Sequence, residues 1–129
     1  MVTSFTDYVV SKSSFEKIEA WQRSQQLAKS VYIKFRDLKD FSFKDQICRA
    51  VVSISNNIAE GRDRGTDKEF VRFLYYSKGS CAEVRSLLYL AKELEYINSE
   101  DFRAMHSDSM EISRMIMGFI KALKRDIKG

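Results

Sequence analysis

Not one of the 129 residues is proline, and only 5 are glycine, so the chain has almost none of the punctuation that many short strands and turns require. What it has instead is helical periodicity. Ile47, Val51, Ile54 and Ile58 step by four, three and four, one stripe of a helix from about Phe43 to Glu60. Ser13 and Glu16 have capping-box spacing and set the expected start of a first helix, whose face runs through Ile18, Trp21, Ala28, Val31 and Phe35 to about Leu38. Thr66 and Glu69 repeat that spacing before Phe70, Leu74, Ser77, Cys81, Val84, Leu88 and Ala91, predicting a third and longest helix to about Leu94. Asn98, Ser99, Glu100 and Asp101 supply a cap and first-turn acids for a fourth, carrying Phe102, Met105, Ile112, Ile116, Phe119, Leu123 and Ile127. Short connections force neighbouring helices antiparallel, so the expected fold is all-α, an up-down-up-down four-helix bundle. Residues 13–129 would form this single domain and residues 1–12 a flexible N-terminal arm.

Apolar residues at 44% and charged residues at 31% fit a folded domain with a charged surface. No apolar run reaches the roughly 20 residues that span a bilayer, and the first residues lack the order of a signal peptide, so no membrane partner and a cytoplasmic location are expected. Cys48 and Cys81 lie in apolar helical stretches and read as buried free thiols. The 22 basic and 18 acidic residues leave a formal charge of +4, which permits a polyanionic partner without requiring one. The distribution is uneven. Acids dominate from Glu83 to Glu111, whereas Arg114, Lys121, Lys124, Arg125 and Lys128 dominate the last stretch. In the expected topology the helix 2–3 loop, the start of helix 1 and the C-terminus share one basic end.

Catalytic signals are lacking. The single histidine, His106, excludes multi-histidine metal sites, including the paired E-x-x-H ligands of a di-iron bundle, and neither common phosphate-binding glycine motif occurs. No catalytic residue, cofactor or metal site is expected, and the protein is expected not to be an enzyme. The methionines Met110, Met115 and Met117 suit adaptable packing.

Helix 2 is the informative one. Arg49, Ser53, Asn56, Asn57 and Glu60 share a polar face in a helix that is otherwise a good apolar one, and interior asparagines are costly there. One explanation is a structural polar network of Arg49, Asn57, Glu60 and Glu83 that fixes the register of the bundle. The other is a nucleic-acid-binding surface of Arg49, Arg62, Arg64, Lys68 and Arg72, with Lys121, Lys124 and Arg125 from the C-terminus and Tyr75 and Tyr76 adjoining. Between Glu60 and Arg72 the acids Glu60, Asp63, Asp67 and Glu69 match the cations one for one. Helix 3 carries a second apolar stripe, Phe73, Tyr76, Ser80, Leu87, Leu90 and Leu94, more than a monomer needs. Gly79 and Ser80 in its middle suggest close packing of another helix.

The run from Gln46 through Arg49, Ala50, Ser53, Ile54, Asn57, Ile58, Ala59 and Glu60 to Gly61 resembles the signature of the four-helix bundle proteins encoded by 23S rRNA intervening sequences. Glu69, Phe70, Arg72, Phe73 and Leu74, then Gly79, Ser80, Ala82 and Glu83, resemble its second half, with Trp21 also in place. The resemblance covers about Phe15 to Leu123. It implies a homo-oligomeric, pentameric bundle without known catalytic activity, related to the accessory variability determinant proteins of diversity-generating retroelements, which bind nucleic acid and a reverse transcriptase. By position it points to Arg49, Asn57, Glu60, Gly61, Glu69, Gly79, Ser80 and Glu83. The chain departs from the family pattern at Ser55, where proline is common, and lacks the proline that often precedes helix 2. Two functions follow as expectations: a homo-oligomer that binds RNA or DNA by repeating a modest basic surface, or a scaffold that binds a protein partner and no nucleic acid directly.

Overall fold

The computed structural model describes residues 14–128. The expected arm at residues 1–12 and Ser13 lie outside them. A short 3-10 helix, Phe15–Lys17, leads into four α-helices: α1 (Glu19–Lys34), α2 (Phe41–Asp63), α3 (Asp67–Glu93) and α4 (Ser99–Lys128). Helix pairs α1–α2, α2–α3, α3–α4 and α1–α4 pack against one another, which closes the all-α bundle. No helix among the described residues is long and apolar enough to cross a membrane.

The first helix differs from its expected bounds. It starts at Glu19, because Phe15 packs edge-on against Trp21 with ring centres 5.1 Å apart and the backbone must turn between them. Glu16 accordingly does not cap α1; its backbone oxygen accepts from Gln22 Nε2 at 2.8 Å. At the other end Phe35 leaves the helix to bury itself against Phe43, 5.7 Å away. Asp40 then caps α2 by accepting from the Phe43 N–H at 3.1 Å. Thr66 caps α3 through the Glu69 N–H at 3.2 Å, and Asn98 accepts from the Asp101 N–H at 2.7 Å.

The periodic apolar residues of the sequence form the core: Val31, Ile47, Val51, Ile54, Ile58, Leu74, Val84, Leu88, Ile112 and Ile116 are fully buried. Each such side chain contributes about 1.5–3 kcal/mol when removed from water. Buried serines satisfy themselves against the backbone, Ser24 on Ala20 O, Ser77 on Ile54 O and Ser109 on Cys81 O. Ser55, the departure from the family pattern, is buried and receives Gln25 Nε2 at 2.8 Å, tying α1 to an unbroken α2.

Two reversals of the chain use left-handed backbone. Between α2 and α3, Gly65 takes φ +93°, a conformation that only glycine adopts without strain. After α3 the left-handed residue is Glu95, at φ 61°. Its N–H donates to Lys92 O and that of Tyr96 to Ala91 O, the paired bonds of a Schellman ending made here without glycine.

Candidate nucleic-acid interface

The α2–α3 turn and the last turns of α4 occupy one end of the bundle. Phe119 of α4 meets Phe70 of α3 with ring centres 5.2 Å apart, and Lys124 Nζ donates to the Tyr75 hydroxyl at 3.3 Å. Ser14, Phe15 and Glu16 line a groove there with Arg62, Thr66 and Asp67. The structure therefore brings Arg62, Arg64, Lys68 and Arg72 to the same end as Lys121, Lys124 and Arg125. It does not bring Arg49 with them. Thirteen residues before Arg62 on the same helix, Arg49 sits about 20 Å along the axis. It is exposed and pairs with Asp45 at 2.9 Å.

Aromatic rings hold several of these cations in place. Arg64 pairs with Glu60 at 2.8 Å and lies 4.7 Å from the centre of the Phe73 ring. Arg72 pairs with Glu69 at 3.1 Å and lies 5.3 Å from the same ring and 5.8 Å from that of Tyr76. Arg62 lies 5.8 Å from the Phe70 ring and Lys124 5.6 Å from that of Tyr75. Exposed ion pairs with residues three or four away are weak and exchange readily for an external anion, while the ring keeps the guanidinium in position. Phe73, which the sequence places in an apolar stripe and in the family signature, is thus the buried platform for two arginines. Tyr75 and Tyr76, adjacent in sequence, diverge, the first toward α4 and the second toward Arg72.

The polar face of α2 divides. Asn57 Nδ2 donates to the backbone oxygen of Ser53 at 2.8 Å and to its hydroxyl at 2.9 Å, and Ser80 of α3 donates to that hydroxyl at 2.9 Å. The helix-bridging network therefore runs through Asn57, Ser53 and Ser80. Arg49 instead pairs with Asp45 and Glu60 with Arg64, each one turn away, and Glu83 is exposed on α3, because all three lie at the outward edge of the stripe. Gly79 faces open space: a Cβ there would meet nothing within 4 Å. The close helix approach lies at Gly61, where a Cβ would stand 2.5 Å from Phe73 Cβ.

The model of the 23S rRNA-intervening sequence protein family matches residues 16–118. The chain belongs to that family. A crystal structure of a protein of unknown function from the S23 ribosomal protein family, from Bacteroides thetaiotaomicron VPI-5482, is 26% identical with a TM-score of 0.73, covering 79% of this chain and 98% of that one. No curated protein matches the chain. The segment matched by the 23S rRNA-intervening sequence protein family contains Arg49, Arg62, Arg64, Lys68 and Arg72, whereas Lys121, Lys124 and Arg125 follow it.

The remaining reactive side chains in this family member are quiet. Burial pushes the Cys81 thiol up to about 12, and Cys48 is also raised by burial, so both are protonated at neutral pH and poor nucleophiles. His106 is half-buried beside Phe102, with Nε2 3.3 Å from the Tyr89 hydroxyl. Among the described residues no group of three acids, cysteines or histidines is placed to hold a metal ion.

Proposed function

We propose that the protein is a non-enzymatic, self-associating nucleic-acid-binding protein of the cytoplasm that contacts phosphate through the basic end of the bundle. The observation that carries this reading is the pair of guanidiniums, Arg64 and Arg72, positioned on the Phe73 ring beside Lys68 and the α4 cations. Guanidinium geometry suits phosphate, and counterion release supplies affinity in proportion to the number of contacts. A charge of +4 per chain is modest for one bundle, but a pentameric ring, as the family resemblance implies, presents the surface several times and gains by multivalency.

The test is fluorescence anisotropy with a structured RNA and a matched DNA duplex across salt concentrations. Micromolar or tighter binding that weakens steeply with salt, and that Arg62→Glu, Arg64→Glu and Arg72→Glu diminish, supports the reading. Absence of binding at low salt overturns it. Native mass spectrometry reads the subunit number, and a monomer removes the multivalency argument.

A second reading, a scaffold for a protein partner, is favoured by one specific feature. Tyr76 and Leu90 on α3 and Leu94 just after it remain exposed along a line that also carries Gly79, apolar surface interrupted only by Glu83. The same strip supports self-association.

A further inference from the structure

Along α3, away from the strip just described, Tyr75, Lys78, Ala82, Arg85, Tyr89 and Lys92 follow one another at steps of three and four residues. That spacing places them on a single line of the helix, and the contacts fix which line it is. Tyr75 meets Lys124, Tyr89 meets Phe102 and His106, and Lys92 Nζ lies 4.9 Å from the Phe102 ring centre, so the line runs beside α4. From Tyr75 to Lys92 it extends about 25 Å. From Tyr75 to Tyr89 no acid falls on it, and Glu93, one turn beyond Tyr89, closes it beside Lys92. The facing line of α4, from Arg103 through His106, Met110, Ser113 and Met117 to Lys124, is free of acids throughout.

The contrast with the α2–α3 end is electrostatic. There Arg64 and Arg72 are paired with acids three or four residues before them. Among the described residues no ion pair engages Lys78, Arg85, Lys92 or Lys124. Arg85 Nη1 is buried and lacks any hydrogen-bond acceptor. A buried guanidinium N–H without an acceptor is costly, so the half-buried Arg85 side chain gains by swinging outward to a phosphate oxygen. Two tyrosines stand on the same line with roughly half their surface exposed, Tyr75 at 42% and Tyr89 at 55%.

We propose that this cation-rich α3–α4 seam is a track for single-stranded nucleic acid, with phosphates on Lys78, Arg85, Lys92 and Lys124 and bases stacked on Tyr75 and Tyr89. Alternating cations and exposed rings are what a strand with unpaired bases recognises, whereas a duplex hides its base faces. At about 3.4 Å or more per nucleotide the seam holds up to about seven of them. The proposal rests on the nucleic-acid reading above but assigns a different surface and a narrower ligand.

The experiment is anisotropy of the full chain with a labelled 12-nucleotide single strand, uridine or thymidine, against a 12-base-pair duplex and a polyglutamate peptide. The single strand is expected to bind on the order of tenfold more tightly than the duplex. Four phosphate contacts give a slope of log K against log salt near −3, and Lys78→Gln with Lys92→Gln should reduce it by about 1.4. Tyr89→Ala should weaken binding on the order of tenfold, and Tyr89→Phe, which keeps the ring, should not. Thermal melts and native mass accompany each variant. Equal affinity for duplex or polyglutamate overturns the proposal, as does an assembly mass altered by the seam variants, which would make this face a subunit contact. If the single strand binds but only Arg64→Gln with Arg72→Gln weakens it, the seam falls and the nucleic-acid reading stands. If no oligonucleotide binds, both fall.

Discussion

Gly61 of α2 and Phe73 of α3 pack so closely that a methyl group on Gly61 would stand 2.5 Å from Phe73 Cβ and 3.2 Å from the Phe70 ring. This contact sets the height at which α3 leaves the turn, and it seats the ring on which Arg64 and Arg72 lie. The geometry of the basic end thus depends on a missing side chain.

Gly61→Ala is therefore expected to destabilise the fold. The obstructing atom is next to the backbone and cannot swing aside, so helices must shift, at about 1–3 kcal/mol, and better helix propensity returns only about 1 kcal/mol of that. Gly79→Ala meets nothing within 4 Å and should stabilise the chain by about 0.5–1 kcal/mol. Urea midpoints of the two variants should move in opposite directions. Gly79→Leu, harmless to a single bundle for the same reason, should lower the native mass only if another subunit packs on that strip.

Asp40 links two functions in one carboxylate, capping α2 and accepting the Tyr96 hydroxyl at 2.7 Å. The Tyr96 bond first, and the Phe43 N–H second, hold its acid below the usual carboxylate range. A lowered native value means that the stabilisation is fully present above the unfolded pKa, about 3.9, and is lost as pH falls through the folded one. Tyr96 is shifted upward by the same bond, so its contribution is present below about 10 and is lost as pH rises through its folded value. Tyr96→Phe should therefore lower stability at neutral pH and bring the acid limb of the urea midpoint to a higher pH, while Asp40→Asn flattens that limb between about pH 5 and 2. An acid limb identical in all three proteins would refute the assignment.

Glu95 occupies a left-handed position that costs a residue with a side chain about 1–2 kcal/mol. Glu95→Gly relieves that strain but adds freedom to the unfolded chain, so a net gain of about 0.5–1 kcal/mol is expected. Differential scanning calorimetry would register it as a rise in Tm of a few degrees.

The helices themselves were legible because a three-to-four residue period of apolar side chains has only one regular structure that buries it. The stripe of Ile47, Val51, Ile54 and Ile58, the Thr66 cap and the all-α class needed nothing else, and the family signature stood in α2 and α3. That the α2–α3 turn and the last turns of α4 share one end followed from topology alone. Tertiary structure decided the rest, because it concerns what lies opposite. The Ser13–Glu16 spacing read as a helix start, yet Phe15 has to reach Trp21 and delays the helix to Glu19. Arg49 belonged to the polar stripe by register, yet Asp45 one turn away claims it, and Asn57 donates to Ser53, whose hydroxyl also accepts from Ser80, instead of reaching Glu83. The α3–α4 seam is written as a period along each helix, but its two halves are 28 residues apart at Cys81 and Ser109, and only packing makes them one surface. Periodicity fixes which face a residue occupies; the partner across that face is set by the long-range fit of helices, which no local pattern encodes.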